Sequence, residues 1–449
     1  MEPLSPASGG RLRPRGQAVS RWHALIVPAR LALLIGLAAA PLARAAEPLT
    51  LPQAVEAALA RSPALSAQDA AARSAREMAV AAGQRPDPVL RLSLENLPVE
   101  GPERFSTTRD FMTSKSVSLM QTFPSEDKRR ARTARFEREA DAARAERGVR
   151  SAAIQRETAM AWLERHALEQ RVALLQVQLD EARLLVQASE AAARGGGGAL
   201  ADWIAARDAV AQLQQTLLAA EAERTNARHA LARWTGGLPE QPLAAPPELV
   251  ELPPAATGVS GRLAHHPELV QLAAREAAAA AEAEVARRER DPDWSTELMF
   301  GLRGPGYANM VSLAVSVPWQ WDRPQRQDRE LAARLARVDE LRDEREERAR
   351  EHLAETERWL VAWRAGLAQL ALIDTGRLPL AEQRIQATLA AYRGGRAPLL
   401  EVLAARRMAL DLRMERIDLR LSTARLWARL AYLIPTENTV AATARPEQE

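Results

Sequence analysis

The histidines beyond residue 45 (His166, His229, His265, His266 and His352) are the side chains best suited to proton transfer or metal ligation, and their spacing supports neither. Only His265 and His266 adjoin, and successive residues on a helix do not share a face. No H-E-x-x-H, G-x-S-x-G or phosphate-loop pattern occurs. The run Gly195 to Gly198 lacks the K-[ST] that would make it a phosphate cradle. The 449 residues include no cysteine, which excludes disulfides, thiolate metal sites and a cysteine nucleophile. The expectation is a protein that is not an enzyme and needs no cofactor or resident metal.

Charge narrows the class further. Lys and Arg number 61 against 58 Asp and Glu, but the first 45 residues hold six arginines and a single acid, so the rest carries a net charge of −2. The footprint of a nucleic-acid binder is missing. Those 45 residues read as a cleavable secretory signal: Arg21 and Arg30 precede the apolar run Leu31 to Ala40, and Ala43-Arg44-Ala45 forms an A-x-A site. No later stretch offers 18 uncharged apolar residues, so the exported chain has no spanning helix.

The elements that position the remaining polar residues come twice. Ser62-Pro63-x-Leu65 through Pro88 matches His266-Pro267-x-Leu269 through Pro292, Val117-Ser118-Leu119 matches Val311-Ser312-Leu313, and Arg194-Gly195-Gly196-x-x-x-Leu200-x-Asp202 matches Arg393-Gly394-Gly395-x-x-x-Leu399-x-Glu401. Three landmarks in one order indicate an internal two-fold repeat. The expected division is a first repeat over 46–237, a Pro-rich linker over 238–260 running extended across the surface, a second repeat over 261–436, and a flexible tail over 437–449.

Within each repeat, period-two alternation marks two strands, near 89–97 and 115–123 and again near 293–302 and 309–317. They are about long enough to cross a bilayer as tilted β-strands. A small half-buried sheet in a soluble domain is the alternative on the strand pattern alone. Four strands cannot close a barrel, and open edges in hydrocarbon leave backbone groups unsatisfied, so further copies must supply the rest. A homotrimer with a 12-stranded barrel is the economical solution. From Ser125 to Ala193 nothing breaks a helix, and Leu168, Val172, Leu175, Leu179, Ala182 and Val186 recur at coiled-coil spacing. Leu200, Ile204, Val210, Leu213 and Leu217 form the expected partner stripe, and the second repeat does the same with a long helix to Tyr392 and another over Leu399 to Leu430. The fold class is mainly α with a small β part: long helical hairpins joined to four strands.

The segment Leu378-Pro379-x-Ala381-Glu382, with Tyr392-x-x-Gly395-x-x-x-Leu399-Leu400-Glu401-Val402-Leu403-x-Ala405-Arg406, resembles the second helix-turn-helix of TolC-type outer-membrane efflux channels, and the likeness extends over about Leu49 to Pro435. The resemblance implies a trimeric exit duct with a β-barrel in outer-membrane lipid and an α-barrel in the periplasm, docking through its helical tips to a periplasmic adaptor protein and an inner-membrane pump. Met120 to Pro124 with Asp127 to Arg130 further resembles the branch serving heavy-metal exporters of the resistance-nodulation-division type. Carried over by position, Asp202 and Tyr392 match an aspartate-tyrosine latch and Glu401 matches an acidic ring. Ala397 and Ala404 stand where related channels can place a latching arginine and a second aspartate. Gly195, Gly196, Leu200, Gly394, Gly395 and Leu399 mark the adaptor-docking tips. Asp202 and Glu401 can equally be helix-start carboxylates favoured by the dipole. The competing function is a periplasmic adaptor or structural coiled-coil protein of an export system, which would carry one hairpin and many short strands.

Overall fold

The computed structural model describes residues 47–195, 199–237, 240–252 and 263–434. The expected signal segment, Gly196, both ends of the Pro-rich linker and the C-terminal tail lie outside the described residues.

In the first half, α1 (Leu51–Ala60) starts with a capping box: the Thr50 hydroxyl accepts from the Gln53 N–H while the Gln53 side chain accepts from the Thr50 N–H. It is followed by α2 (Pro63–Gly83), β1 (Val89–Glu95), β2 (Ser114–Phe123), α3 (Glu126–Arg194) and α4 (Leu200–Thr235). The second half has α5 (Pro267–Arg288), β3 (Trp294–Arg303), β4 (Met310–Ser316), α6 (Gln327–Leu372), α7 (Leu378–Arg393) and α8 (Leu399–Ala431). With no proline and just Gly148 to weaken it, α3 runs 69 residues, roughly 100 Å. Ser125 caps its start by accepting from the Lys128 N–H at 3.2 Å.

The second long helix departs from expectation, because one π turn, Ile373–Arg377, separates α6 from α7. Pro379 has no N–H to donate to the ladder, and in the widened turn the Leu378 N–H reaches the Ile373 carbonyl. Arg416 of α8 bonds Asp374 in that turn, and Arg377 reaches Glu415 at 2.7 Å.

The four strands form one antiparallel sheet in the order β1-β2-β3-β4. Register places Leu92, Val117, Phe300 and Val311 in one row and Leu90, Leu119, Leu298 and Leu313 in the next, all exposed on one face. On the opposite face the Ser93 and Ser116 hydroxyls lie 2.6 Å apart, and the Ser118 hydroxyl donates to Glu297 at 2.6 Å. β1 and β4 are the two edges.

The central core forms where α1, α3, α6 and α8 meet around Trp162, Trp363, Trp427, Leu430 and Ala159. The described part of the linker runs mostly at the surface and is pinned to this core. Leu249 of its segment 240–252 is buried, and two indoles hold that segment's main chain, Trp363 Nε1 donating to the Leu249 carbonyl at 3.1 Å and Trp427 Nε1 to the Glu251 carbonyl at 3.0 Å, while Trp162 Nε1 donates to the Leu49 carbonyl just before α1 at 3.0 Å. Buried indole N–H groups need acceptors, and main-chain carbonyls outside the helices supply them. Leu49 and Leu249 thus occupy equivalent places in the two halves. Close helix packing adds to this core: a Cβ on Gly366 of α6 would come 2.3 Å from the Thr423 hydroxyl of α8 in the absence of rearrangement.

Toward the turns, α3 packs on α4 through Val172, Leu175 and Leu179 against Leu217 and Ala220, so the heptad seam finds its expected partner. The partner stripe differs at its start. Leu200 and Ile204 are exposed, at 63% and 55%, and Ala206 takes the inward position instead.

Candidate functional site

The two glycine-marked turns sit at the far ends of the helical hairpins from the sheet, joined by a small apolar cluster. Ala206 of α4 and Leu399 and Val402 of α8 are buried there, with Val186, Leu389, Tyr392 and Leu403 packed around them. Tyr392 therefore packs against the contact between the hairpins. Asp202 is in the first turn of α4 and half-buried, and Glu401 is in the first turn of α8 and exposed. Within the chain the structure does not bring Tyr392 and Asp202 into a hydrogen bond; both carboxylates occupy the helix-start position that the dipole favours.

The docking residues divide by burial. Leu200 projects outward, whereas Leu399 is 1% exposed and holds the tip together from inside. Gly195 and Gly394 end their helices at ordinary negative φ. Gly395 sits at φ +68°, in the left-handed region where a side chain costs about 1–2 kcal/mol.

Between the hairpins a groove of about 1090 Å³ is lined by Leu213 and Leu410 together with Asp208, Asp411, Glu415 and Asp418. Asp411, Glu415 and Asp418 recur at i, i+4 and i+7, which puts them on one face of α8. That spacing is legible in the sequence, whereas the groove it faces is not. Asp418 is paired with Arg171 of α3, while Asp411 makes no ion pair among the described residues.

Two further polar clusters were not anticipated. Lys128, 2% exposed, donates to Asp293 Oδ1 at 2.7 Å and the Asp291 carbonyl at 2.8 Å, with Glu289 Oε2 at 3.1 Å. It ties the start of α3 to the segment leading into β3, where helices give way to sheet. Gln121, from the same stretch, donates to the Pro86 carbonyl at 2.9 Å. Higher on α5 and α6, the rings of His266 and His352 lie 3.9 Å apart, and His352 Nε2 is 2.8 Å from Glu268 Oε2. The hydrogen bond from His352, aided by Arg348, pulls the Glu268 carboxyl down to about 2 against the cost of burial. Burial, with the neighbouring His352, pushes His266 down to about 4, so it is neutral at ordinary pH. Among the described residues no group of three His, Asp or Glu side chains is placed to hold a metal ion, and no helix is long and apolar enough to cross a membrane.

Comparison with known proteins agrees with this geometry. The family model described as Outer membrane efflux protein matches residues 54–237 and 259–434. No curated relative matches the chain. Among solved structures, the outer-membrane channel OprN superposes with a TM-score of 0.71 at 19% identity, covering 86% of this chain and 90% of that one. VceC, an outer membrane protein of Vibrio cholerae, gives 0.67 at 22% identity over 85% and 95%. CusC, whose crystal structures concern conformational changes accompanying folding and transmembrane channel formation, gives 0.72 at 16% identity over 85% and 91%. These likenesses are of fold, and the family match spans most of the sequence. The chain belongs to the outer membrane efflux protein family and is thus a transport protein of the outer membrane.

Proposed function

We propose that the chain works as a homotrimer whose twelve strands close one barrel, a passive exit duct coupled through a periplasmic adaptor protein to an inner-membrane pump. The observation that carries this reading is the sheet itself: four strands, two unpaired edges, and one face of exposed Leu, Val and Phe. Edges without partners are untenable in hydrocarbon, and the apolar rows suit lipid while the serine rows suit a wet lumen. The family match falls into two stretches separated near residues 238–258, which supports a duplicated unit with repeats over 46–237 and 261–436.

At the tips, Asp202 and Tyr392 serve as a latch between neighbouring hairpins, Tyr392 and Asp202 coming from adjacent subunits, and Glu401 contributes an acidic ring that favours cations. Gly195, Gly196, Leu200, Gly394, Gly395 and Leu399 shape the surface that the adaptor grips. The proposed cargo is heavy-metal cations, on the strength of the stretch Met120 to Arg130; Lys128 and Gln121 in that stretch make junction contacts, so cargo choice belongs to the pump. Purification in detergent followed by planar-bilayer recording tests the channel reading. The expected result is a trimer with cation-preferring conductance, and a water-soluble monomer would overturn it. Comparing metal and antibiotic tolerance of a deletion strain tests the cargo.

A further inference from the structure

Strand register fixes which side chains share the serine face of the sheet. Cross-strand partners point to the same side, so Arg91, Ser118, Met299 and Ser312 make one row of that face, and Val89, Met120, Glu297 and Ala314 make the next. Where these rows cross β2 and β3, four residues stand at the corners of a square, with Ser118 opposite Met299 and Met120 opposite Glu297. One diagonal is closed by the Ser118 hydroxyl, which donates to Glu297 Oε1 at 2.6 Å. The other joins two thioethers. Diagonal neighbours on an antiparallel pair stand about 7–8 Å apart, within reach of long side chains. Met120, Glu297 and Met299 are half-buried and Ser118 is buried. Arg91, in the Ser118 row, reaches Glu297 only at 3.9 Å with 61% of its side chain exposed, so the carboxylate keeps most of its charge. A third thioether, Met310, lies on the same face in the row of Ser93, Ser116 and Gly301, with Arg303 Nη1 3.9 Å from its sulfur.

We propose that Met120, Met299 and Glu297 form a transient site for a soft monovalent cation, Ag(I) or Cu(I), on the lumen wall of the barrel, one site in each chain. Thioether sulfur is a soft, neutral donor that suits such ions, whereas carboxylate and hydroxyl oxygens suit harder ones. The Glu297 carboxylate supplies the charge that two neutral sulfurs lack, so the loaded site is neutral. Neutral sulfurs hold the ion weakly enough for it to leave, as passage through a duct requires. Val89 and Ala314 close the row on either side and bring no competing donor. Met310 has the Arg303 guanidinium beside it in place of a carboxylate, which disfavours a cation there. The proposal rests on the reading of the serine face as the lumen, and it narrows the proposed heavy-metal cargo to soft cations.

The chain has no cysteine, so thiols do not compete for silver. The full-length protein is recorded in planar bilayers in potassium nitrate, with silver nitrate or zinc nitrate added at equal micromolar concentration. Silver is expected to interrupt the potassium current in discrete blocks. Met120→Leu and Met299→Leu should each abolish those blocks and leave the potassium conductance at the parental value, while Met310→Leu, and Met78→Leu on the exposed side of α2, should retain them. Loss of a partner from a metal site commonly costs about 10–100-fold in affinity, and at least that weakening of Ag(I) binding is expected for the detergent-solubilised Met120→Leu and Met299→Leu proteins. X-ray absorption of the silver-loaded parental protein needs no variant: sulfur neighbours are expected, and a shell of oxygen and nitrogen alone refutes the site. Silver that leaves the parental current uninterrupted, or blocks that persist in either leucine variant, also refute it while the channel reading stands. Zinc blocks as strong as those of silver and lost in the same variants refute the soft-ion preference. A protein that conducts no potassium overturns the lumen assignment and the site with it.

Discussion

Replacing Lys128 by methionine removes a buried ammonium while keeping most of its bulk. The lysine is 2% exposed and its three oxygen partners lie at 2.7–3.1 Å. Breaking a fully buried ion pair from one side costs about 3–5 kcal/mol, because the partner charge is left uncompensated. Here the partners are not sealed: the Asp293 and Glu289 side chains are 26% and 38% exposed, and Glu289 keeps its contact with Arg132. Water therefore recovers part of the loss, and the expected cost is about 2–3 kcal/mol. Arg130→Met is the matched control. Its partners Glu126 and Asp127 are 69% and 56% exposed, so it should cost under about 1 kcal/mol. Equilibrium unfolding of the detergent-solubilised protein measures both, and adding Asp293→Asn to each closes a double-mutant cycle. The cycle should show coupling of about 1–2 kcal/mol with Lys128 and close to none with Arg130. Equal destabilisation by the two single substitutions, with no coupling to Asp293, would falsify the claim that this lysine staples the helices to the sheet.

At the tips, Tyr392→Phe or Asp202→Ala should raise single-channel conductance, since a Tyr hydroxyl bonded to a carboxylate contributes about 1.5–3 kcal/mol where buried, and Glu401→Gln should mainly weaken cation preference; parental conductance in the first two returns Asp202 to the role of a helix-start carboxylate. On the sheet, Leu92→Arg or Val315→Arg should block membrane assembly at about 2–4 kcal/mol per site, whereas Ser93→Arg and Ser316→Arg should be milder, as read by heat-stable trimer on gels. Gly395→Leu should abolish export and leave conductance unchanged, because the φ of +68° strains any side chain and deforms the surface the adaptor grips; an export assay beside bilayer recording separates the two. The protein should lose stability as pH falls from about 6.5 to 4, because unfolded His266 takes up a proton that the folded site, with its pKa near 4, refuses. Glu268, depressed to about 2, extends the loss below about 4.5, and His266→Asn should remove the first part of the slope in thermal melts at stepped pH.

Much of this architecture was written locally. Strands alternate with period two and are bracketed by Pro88, Pro124, Pro292 and Pro318, and α3 has no proline over 69 residues, so neighbours along the chain suffice to specify both. The heptad seam of α3 likewise announces that a partner helix exists. Tertiary structure decided the rest, because burial depends on residues far apart in sequence. Leu200 and Leu399 hold equivalent places in the repeat, yet one is exposed and the other buried, since α8 enters the contact between hairpins at its first residue whereas α4 enters it at Ala206. Lys128 reads as one of several surface cations until Asp293, 165 positions away, is brought to 2.7 Å. The linker looks like a loose strap until Trp363 and Trp427 reach its carbonyls. Asp202 and Tyr392 stand out in the sequence only by resemblance, and within the chain Tyr392 packs against the tip cluster while Asp202 occupies the first turn of α4.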